Sequence, residues 1–182
     1  MRLFLLTAAT FMVLATTAHA QLAGWTNLLQ HPVQGSQIMY FGPSGKAYLW
    51  SLRSAEIEVG HYYSGMMENT TCFKFGPDRY NPVTGLPAGR SECTPRPQFA
   101  NLVTEQARGD VFNLAGRRDA PFALGGSRLT LAQAARRAGI QLANPVITKE
   151  DLIVRPGERV TADQICRLYP DLKDYEYSPC AE

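Results

Sequence analysis

The residues best equipped for chemistry sit in one short run, His61-Tyr62-Tyr63-Ser64, a few positions after Glu56 and Glu58. A histidine exchanges its proton near neutral pH, so His61 is the candidate general acid–base group of a small hydrolase. That work needs a nucleophile or an orienting carboxylate beside it, and no motif supplies one. HExxH is absent, so the helix that offers two histidines to zinc is missing. GxSxG is absent as well, and with it the esterase elbow. Gly42–Lys46 evokes a phosphate loop, but its glycine spacing is wrong and Ala47 stands where Ser or Thr would hold magnesium. Glu56 and Glu58 on an extended run would lie about 6–7 Å apart at Cα, a separation that suits glycosidase carboxylates. A solvated strand face accounts for the same pair more simply. The chain therefore reads as non-enzymatic, with no catalytic residue, cofactor or metal expected.

Cysteine is the other reactive type. Cys72, Cys93, Cys166 and Cys180 give an even count. In an exported chain that reads as two disulfides. Three connectivities are possible, and Cys72–Cys93 with Cys166–Cys180 is preferred because each pair sits within one region. Each bridge would contribute about 3 kcal/mol by restricting the unfolded chain. No CxxC is present, which removes the usual ligand spacing of a zinc site.

Aromatic residues carry the binding argument. Tyr40, Phe41, Tyr48, Trp50, Tyr62, Tyr63, Phe73 and Phe75 cluster in one part of the chain. If the strands that hold them curl into a partial barrel, alternate members line its interior. Tyr40, Tyr48, Trp50, His61, Tyr62 and Phe73 are then the ligand-pocket candidates, for a small hydrophobic ligand. An ordinary aromatic core is the competing reading, and the favoured one.

The elements that must position these side chains are mostly strands. Ser36–Phe41 and Lys46–Leu52 flank Gly42-Pro43-Ser44-Gly45, a turn rich in glycine and proline. Ser54–Tyr63 alternates, which predicts a strand with Ala55, Ile57, Val59 and His61 on a buried face and Glu56 and Glu58 in solvent. Thr70–Phe75 is a fourth run. Gly76 to Pro97 carries five prolines and should be neither strand nor helix. Phe99–Gln106 and Asp110–Leu114 look like a further hairpin. Beyond Pro121 the pattern changes. Thr130 caps a helix over Leu131–Ala138 that Gly139 ends. Thr148-Lys149-Glu150-Asp151 and Thr161-Ala162-Asp163-Gln164 have the shape of capping boxes, with strand-like Asp151–Val154 between them. The fold class is α+β: mainly an antiparallel β-meander or partial barrel, followed by a small α/β C-terminal segment. The expected division is residues 1–20, 21–120 for the β-rich domain, and 121–182 for the α/β segment.

Residues 1–20 read as a cleaved signal peptide. Arg2 precedes the apolar run Leu3 to Thr17, and Ala18-His19-Ala20 forms a small-x-small cleavage site before Gln21. The apolar run is shorter than the roughly 20 residues a membrane-spanning helix needs, so no membrane anchor is expected. The implied destination is the periplasm or the medium. The 182 residues are 45% hydrophobic and 19% charged with a net charge of +2, which excludes a disordered chain. So small a charge also speaks against a nucleic-acid partner held by phosphate neutralisation.

Tyr40-Phe41 before a hairpin turn at Gly45, Gly60 leading into Tyr62, then Cys72-Phe73 and a later Cys93 resemble a loose group of uncharacterised exported proteobacterial proteins with a small lipocalin-like β-domain. In that group a glycine–x–tryptophan precedes a strand with a cysteine–aromatic step, and here Tyr62 stands in the tryptophan's place. The resemblance spans residues 36–96. It implies the fold and the compartment, and it brings no catalytic residue; the binding reading separately expects a small hydrophobic ligand or an envelope protein as partner. Ile153-Val154-Arg155-Pro156-Gly157-Glu158, with Ile165 and Tyr169, is similar to the opening of a LysM module, which implies peptidoglycan binding. Arg159 replaces that module's usual threonine, and two extra residues separate Thr161 from Ile165.

Overall fold

A computed structural model describes residues 22–52, 54–65, 70–76, 92–126 and 128–152. Six strands run as a meander: β1 (Trp25–His31), β2 (Gly35–Phe41), β3 (Lys46–Trp50), β4 (Glu58–Ser64), β5 (Thr70–Lys74) and β6 (Glu92–Pro95). Helix α1 (Arg96–Leu102) then carries the chain to β7 (Val103–Arg108), which pairs with the free edge of β1. Helix α2 (Leu131–Arg137) follows, then β8 (Val146–Thr148) beside β7 and helix α3 (Lys149–Leu152). The result is one eight-stranded antiparallel sheet in the order β6-β5-β4-β3-β2-β1-β7-β8, curled into a half-barrel. The meander and partial barrel expected from the sequence are therefore present, with short helices added.

Local sequence explains how the elements start and stop. The β2–β3 hairpin closes through Gly42 N–H to Lys46 O at 2.8 Å, and Gly45 sits at φ +78°, where a Cβ would be strained. Helix α2 begins with a reciprocal capping box. Thr130 Oγ1 accepts from Gln133 N–H at 3.1 Å, and Gln133 Oε1 accepts from Thr130 N–H at 2.9 Å. Gly139 follows at φ +69° and ends the helix. At α3, Thr148 and Asp151 cap each other in the same way.

Both faces of the sheet are covered where β1, β2 and β3 meet. On one face Leu29, Met39, Phe41, Leu49, Tyr62, Phe73 and Phe75 bury Phe99 of α1. On the other, Leu28, Ile38, Trp50 and Ala107 pack against Phe112, Leu114 and Leu124, and against Leu131, Ala134 and Ala135 of α2. We refer to these as the α1 face and the α2 face. Residues beyond 121 thus share a core with the sheet. The link is polar as well: Glu105 of β7 accepts the Leu131 N–H at 2.6 Å, and Gln30 of β1 donates to Leu129 O.

Several expectations are corrected. β1 escaped the sequence reading because Thr26, Asn27, Leu28 and Leu29 are all buried, so no polar–apolar alternation marks the strand. The proline-rich stretch ends in structure: Pro95 closes edge strand β6, and Pro97 lies in the first turn of α1, where no N–H is missed. Residues 99–102 are helix, and strand begins only at Val103. Asp110–Leu114 is a turn, held by the Asp110 carboxylate, which accepts from Leu114 N–H at 2.6 Å and Ala115 N–H at 2.7 Å. Asp151 and Leu152 are helical instead of extended. Residues 1–21, the Cys166–Cys180 pair, the helix after Thr161 and the LysM-like run lie outside the described residues.

The largest correction concerns Ser54–Tyr63. The strand starts only at Glu58; Ile57 before it is buried as predicted, but within the strand the two faces are reversed from those predicted. Glu58 is buried on the α1 face, whereas Val59 and His61 project into solvent. Alternation fixes the period of a strand but not which parity points inward. Gly60 opposite Phe75 and Tyr62 opposite Phe73 belong to the packed face, and Glu58 shares their parity.

Candidate functional site

The structure separates the six pocket candidates. Tyr62 and Phe73 are buried on the α1 face, and Trp50 is buried on the α2 face. Tyr40 and Tyr48 lie half-buried on the α2 face, and His61 is exposed on that same side. No single interior is lined by all six. The α1 face is filled by aromatic rings: Phe41 meets Tyr62 edge-on at 4.8 Å and Phe99 edge-on at 5.8 Å, and Phe73 lies 5.5 Å from Phe99. Two pairs of its buried polar residues bond to each other. Ser51 Oγ donates to Glu58 Oε1 at 3.0 Å, and Gln37 Nε2 donates to Gln34 Oε1.

A groove of about 260 Å³ lies elsewhere, between α1, β7 and α3, walled by Leu22, Phe99, Val103, Gln106 and Lys149. It contains none of the six. Among the described residues no cluster of His, Cys, Asp and Glu could hold a metal ion, and no helix is long and apolar enough to cross a membrane.

What the sheet does assemble is a surface. Strand register places Lys46 of β3 directly opposite His61 of β4, and His61 directly opposite Lys74 of β5. All three point outward on the α2 face and all three are exposed. Neighbouring strands are about 4.8 Å apart, so three cationic or ionisable side chains stand in one cross-strand row about 10 Å long. The rows on either side are apolar. Tyr40, Tyr48 and Val59 form one, in consecutive register, with the two tyrosine rings stacked at 6.0 Å and 22°. Tyr63 and the Cys72–Cys93 disulfide form the other. One row farther along, Ile38 and Trp50 are closed beneath the α2 layer.

The α2 layer stops short of this surface for an identifiable reason. Its anchors are Trp50 Nε1, which donates to Phe122 O at 3.0 Å, and the backbone bonds Ile57 N–H to Arg118 O and Ala120 N–H to Ala55 O. All three lie at the Trp50 end of β3 and in the loop before β4. Beyond them Lys46, Val59, His61 and Lys74 are exposed, Val59 at 53%, whereas Cys72 of the same face is fully buried.

Two phenols have shifted acidity. Burial first, and then Tyr40, raise Tyr62 above the ordinary phenol value, and its hydroxyl donates to Gly42 O at 2.8 Å. Tyr40 is also raised, by burial, then by Asp110 and by Tyr48. Both phenols therefore hold their protons to higher pH than a free tyrosine. His61 has no orienting carboxylate among the described residues, and Glu56 instead faces Arg118 at 2.8 Å.

The sequence named Tyr40, Tyr48 and His61 on this surface but not Lys46, Val59, Tyr63 or Lys74. The usable signal was the pairing Lys46-x-Tyr48 and Val59-x-His61-x-Tyr63 on neighbouring strands, once the parity of β4 was known. Compared with protein-family models, with curated proteins and with solved structures, the chain matches none.

Proposed function

We propose that this chain is an exported, non-enzymatic binding protein with a lipocalin-like half-barrel, working in the periplasm or the medium. Its recognition surface is the uncovered part of the α2 face. The observation that carries this reading is the row Lys46–His61–Lys74 between Tyr48–Val59 and Tyr63. His61 stands directly opposite both lysines, and when it carries a proton like charges so placed cost stability in a sheet, by about 0.2–1 kcal/mol per pair. A partner that neutralises them recovers that cost on binding. The packed α1 face argues against a deep hydrophobic pocket, since Phe41, Phe73 and Phe99 occupy its centre.

The test is co-sedimentation of the purified protein, residues 21–182, with envelope fractions of the producing cell. The wild type should sediment. The Tyr48→Ala/His61→Ala double variant, checked for its fold by circular dichroism, should stay in the supernatant. Equal sedimentation of the two proteins sinks the assignment of the surface. Export is tested separately, by cell fractionation and by N-terminal sequencing that should begin at Gln21.

A further inference from the structure

We infer that the partner of this surface is an acidic polysaccharide, a sugar chain carrying carboxylate or phosphate groups. The inference rests on the binding reading above and narrows it to one chemistry. Lys46, His61 and Lys74 have no hydrogen-bond or ion-pair partner among the described residues, so their donors face solvent. The two lysines, with the ionisable His61 between them, therefore present positive charge without a partner among the described residues, and its complement is a line of anionic groups.

The flanks and the shape narrow the choice. Sheet register sets the three side chains in one row across β3, β4 and β5, all of them exposed to solvent. An extended polymer can lay successive acid groups along it. Tyr40, Tyr48 and Tyr63 on its borders are half-buried, and tyrosine combines an apolar ring with a polar hydroxyl, suited to a partner that is apolar on one side and wet on the other. A folded protein partner would need a desolvated apolar centre, and Val59 is the one large exposed hydrophobic among the described residues on this face. A membrane surface would need an insertable apolar ridge, which is lacking for the same reason. A nucleic acid would draw on a strong overall charge, and this chain carries +2.

The experiment measures retention of the purified protein on immobilised alginate, on neutral dextran and on single-stranded oligothymidylate at low salt. Wild type should be retained by alginate and released by salt, and dextran should not hold it. Lys46→Gln/Lys74→Gln should weaken alginate binding by about tenfold, as expected for the loss of two contacts to anionic groups. Arg128→Gln/Arg136→Gln removes the same charge from exposed positions away from the row, and should change binding by less than about twofold. Equal loss in both double variants overturns the inference, because binding would then follow net charge alone. Retention on dextran equal to that on alginate, or tighter retention on oligothymidylate, overturns it too. If alginate fails while envelope sedimentation still depends on Tyr48 and His61, the surface stands and the acidic glycan is wrong. If neither depends on the surface, both fall.

Discussion

Trp50 and Phe122 are joined twice: the indole Nε1 donates to Phe122 O at 3.0 Å, and the two rings meet edge-on with centroids 4.7 Å apart. Arg137 of α2 lies over the other ring, 4.3 Å from the Phe122 centroid. Sheet, loop and helix are therefore fastened at one point. Trp50→Phe should remove the hydrogen bond and some packing, costing about 1–3 kcal/mol. Trp50→Ala should cost about 3–5 kcal/mol. Urea unfolding followed by far-UV circular dichroism reads both, and a Trp50→Ala protein as stable as wild type would remove this contact as the anchor of the α2 layer.

Glu56 and Glu58, adjacent in parity along the sequence, have unlike environments. Glu56 forms an exposed pair with Arg118, and Glu58 lies buried with Ser51. Glu56→Gln should alter stability by less than about 1 kcal/mol. Glu58→Ala leaves the buried Ser51 hydroxyl without its acceptor and should cost about 1–3 kcal/mol. Urea midpoints of the two single variants make the comparison, and equal effects would contradict the burial of Glu58.

The Cys72–Cys93 bridge joins directly opposed residues of β5 and β6 and spans 21 positions. By the loop-closure argument it contributes about 3 kcal/mol. Cys72→Ser/Cys93→Ser should lower the thermal midpoint accordingly, and the wild type should show the same drop after reduction. Thiol titration of the unreduced, denatured protein should find neither sulfur reactive.

Alkaline stability follows from the buried phenol. Tyr62 keeps its proton to higher pH in the folded protein than in the unfolded chain, where its ordinary value is 10.0. Its contribution is therefore complete below pH 10 and is lost as the pH rises through the folded-state value. Tyr40 shifts the same way and adds to the effect. Tyr62→Phe should be less stable near neutrality by about 1 kcal/mol, through loss of the bond to Gly42 O. Above pH 10 the variant should lose less stability than wild type. Urea unfolding near pH 7 and near pH 11 tests the crossing trend, and parallel losses would refute it.

Elements bounded by turn and capping residues were the legible part of this chain. Glycine and proline at 42–45 delimited the β2–β3 hairpin, and Thr130, Gln133 and Gly139 delimited α2 through capping chemistry that acts within a few residues. What escaped depends on distant partners. β1 is buried on both faces because β7 and the α2 layer reach it from far along the chain, so its own residues show no alternation. The parity of β4 was misjudged because Glu58 looks solvent-seeking by type, whereas Gly60 and Tyr62 decide the inward face through Phe75 and Phe73. The row Lys46–His61–Lys74 was hidden for the same reason, since it exists only in the register of three strands.

The long return of β7 to β1 has a kinetic consequence. β1 meets β2 across a tight turn, but its other side waits for residues some eighty positions later, as the Thr26 Oγ1 to Gly109 O bond across 83 positions illustrates. Contacts so remote pay their loop-closure entropy late, which places this half-barrel among slow folders. Until Val103–Arg108 docks, the open side of β1 is an unpaired strand edge. A chain cut short before β7, or overtaken by a second copy during refolding, would offer that edge to its neighbour. The bond network that closes the sheet thus also sets the interval in which the protein is most exposed to self-association.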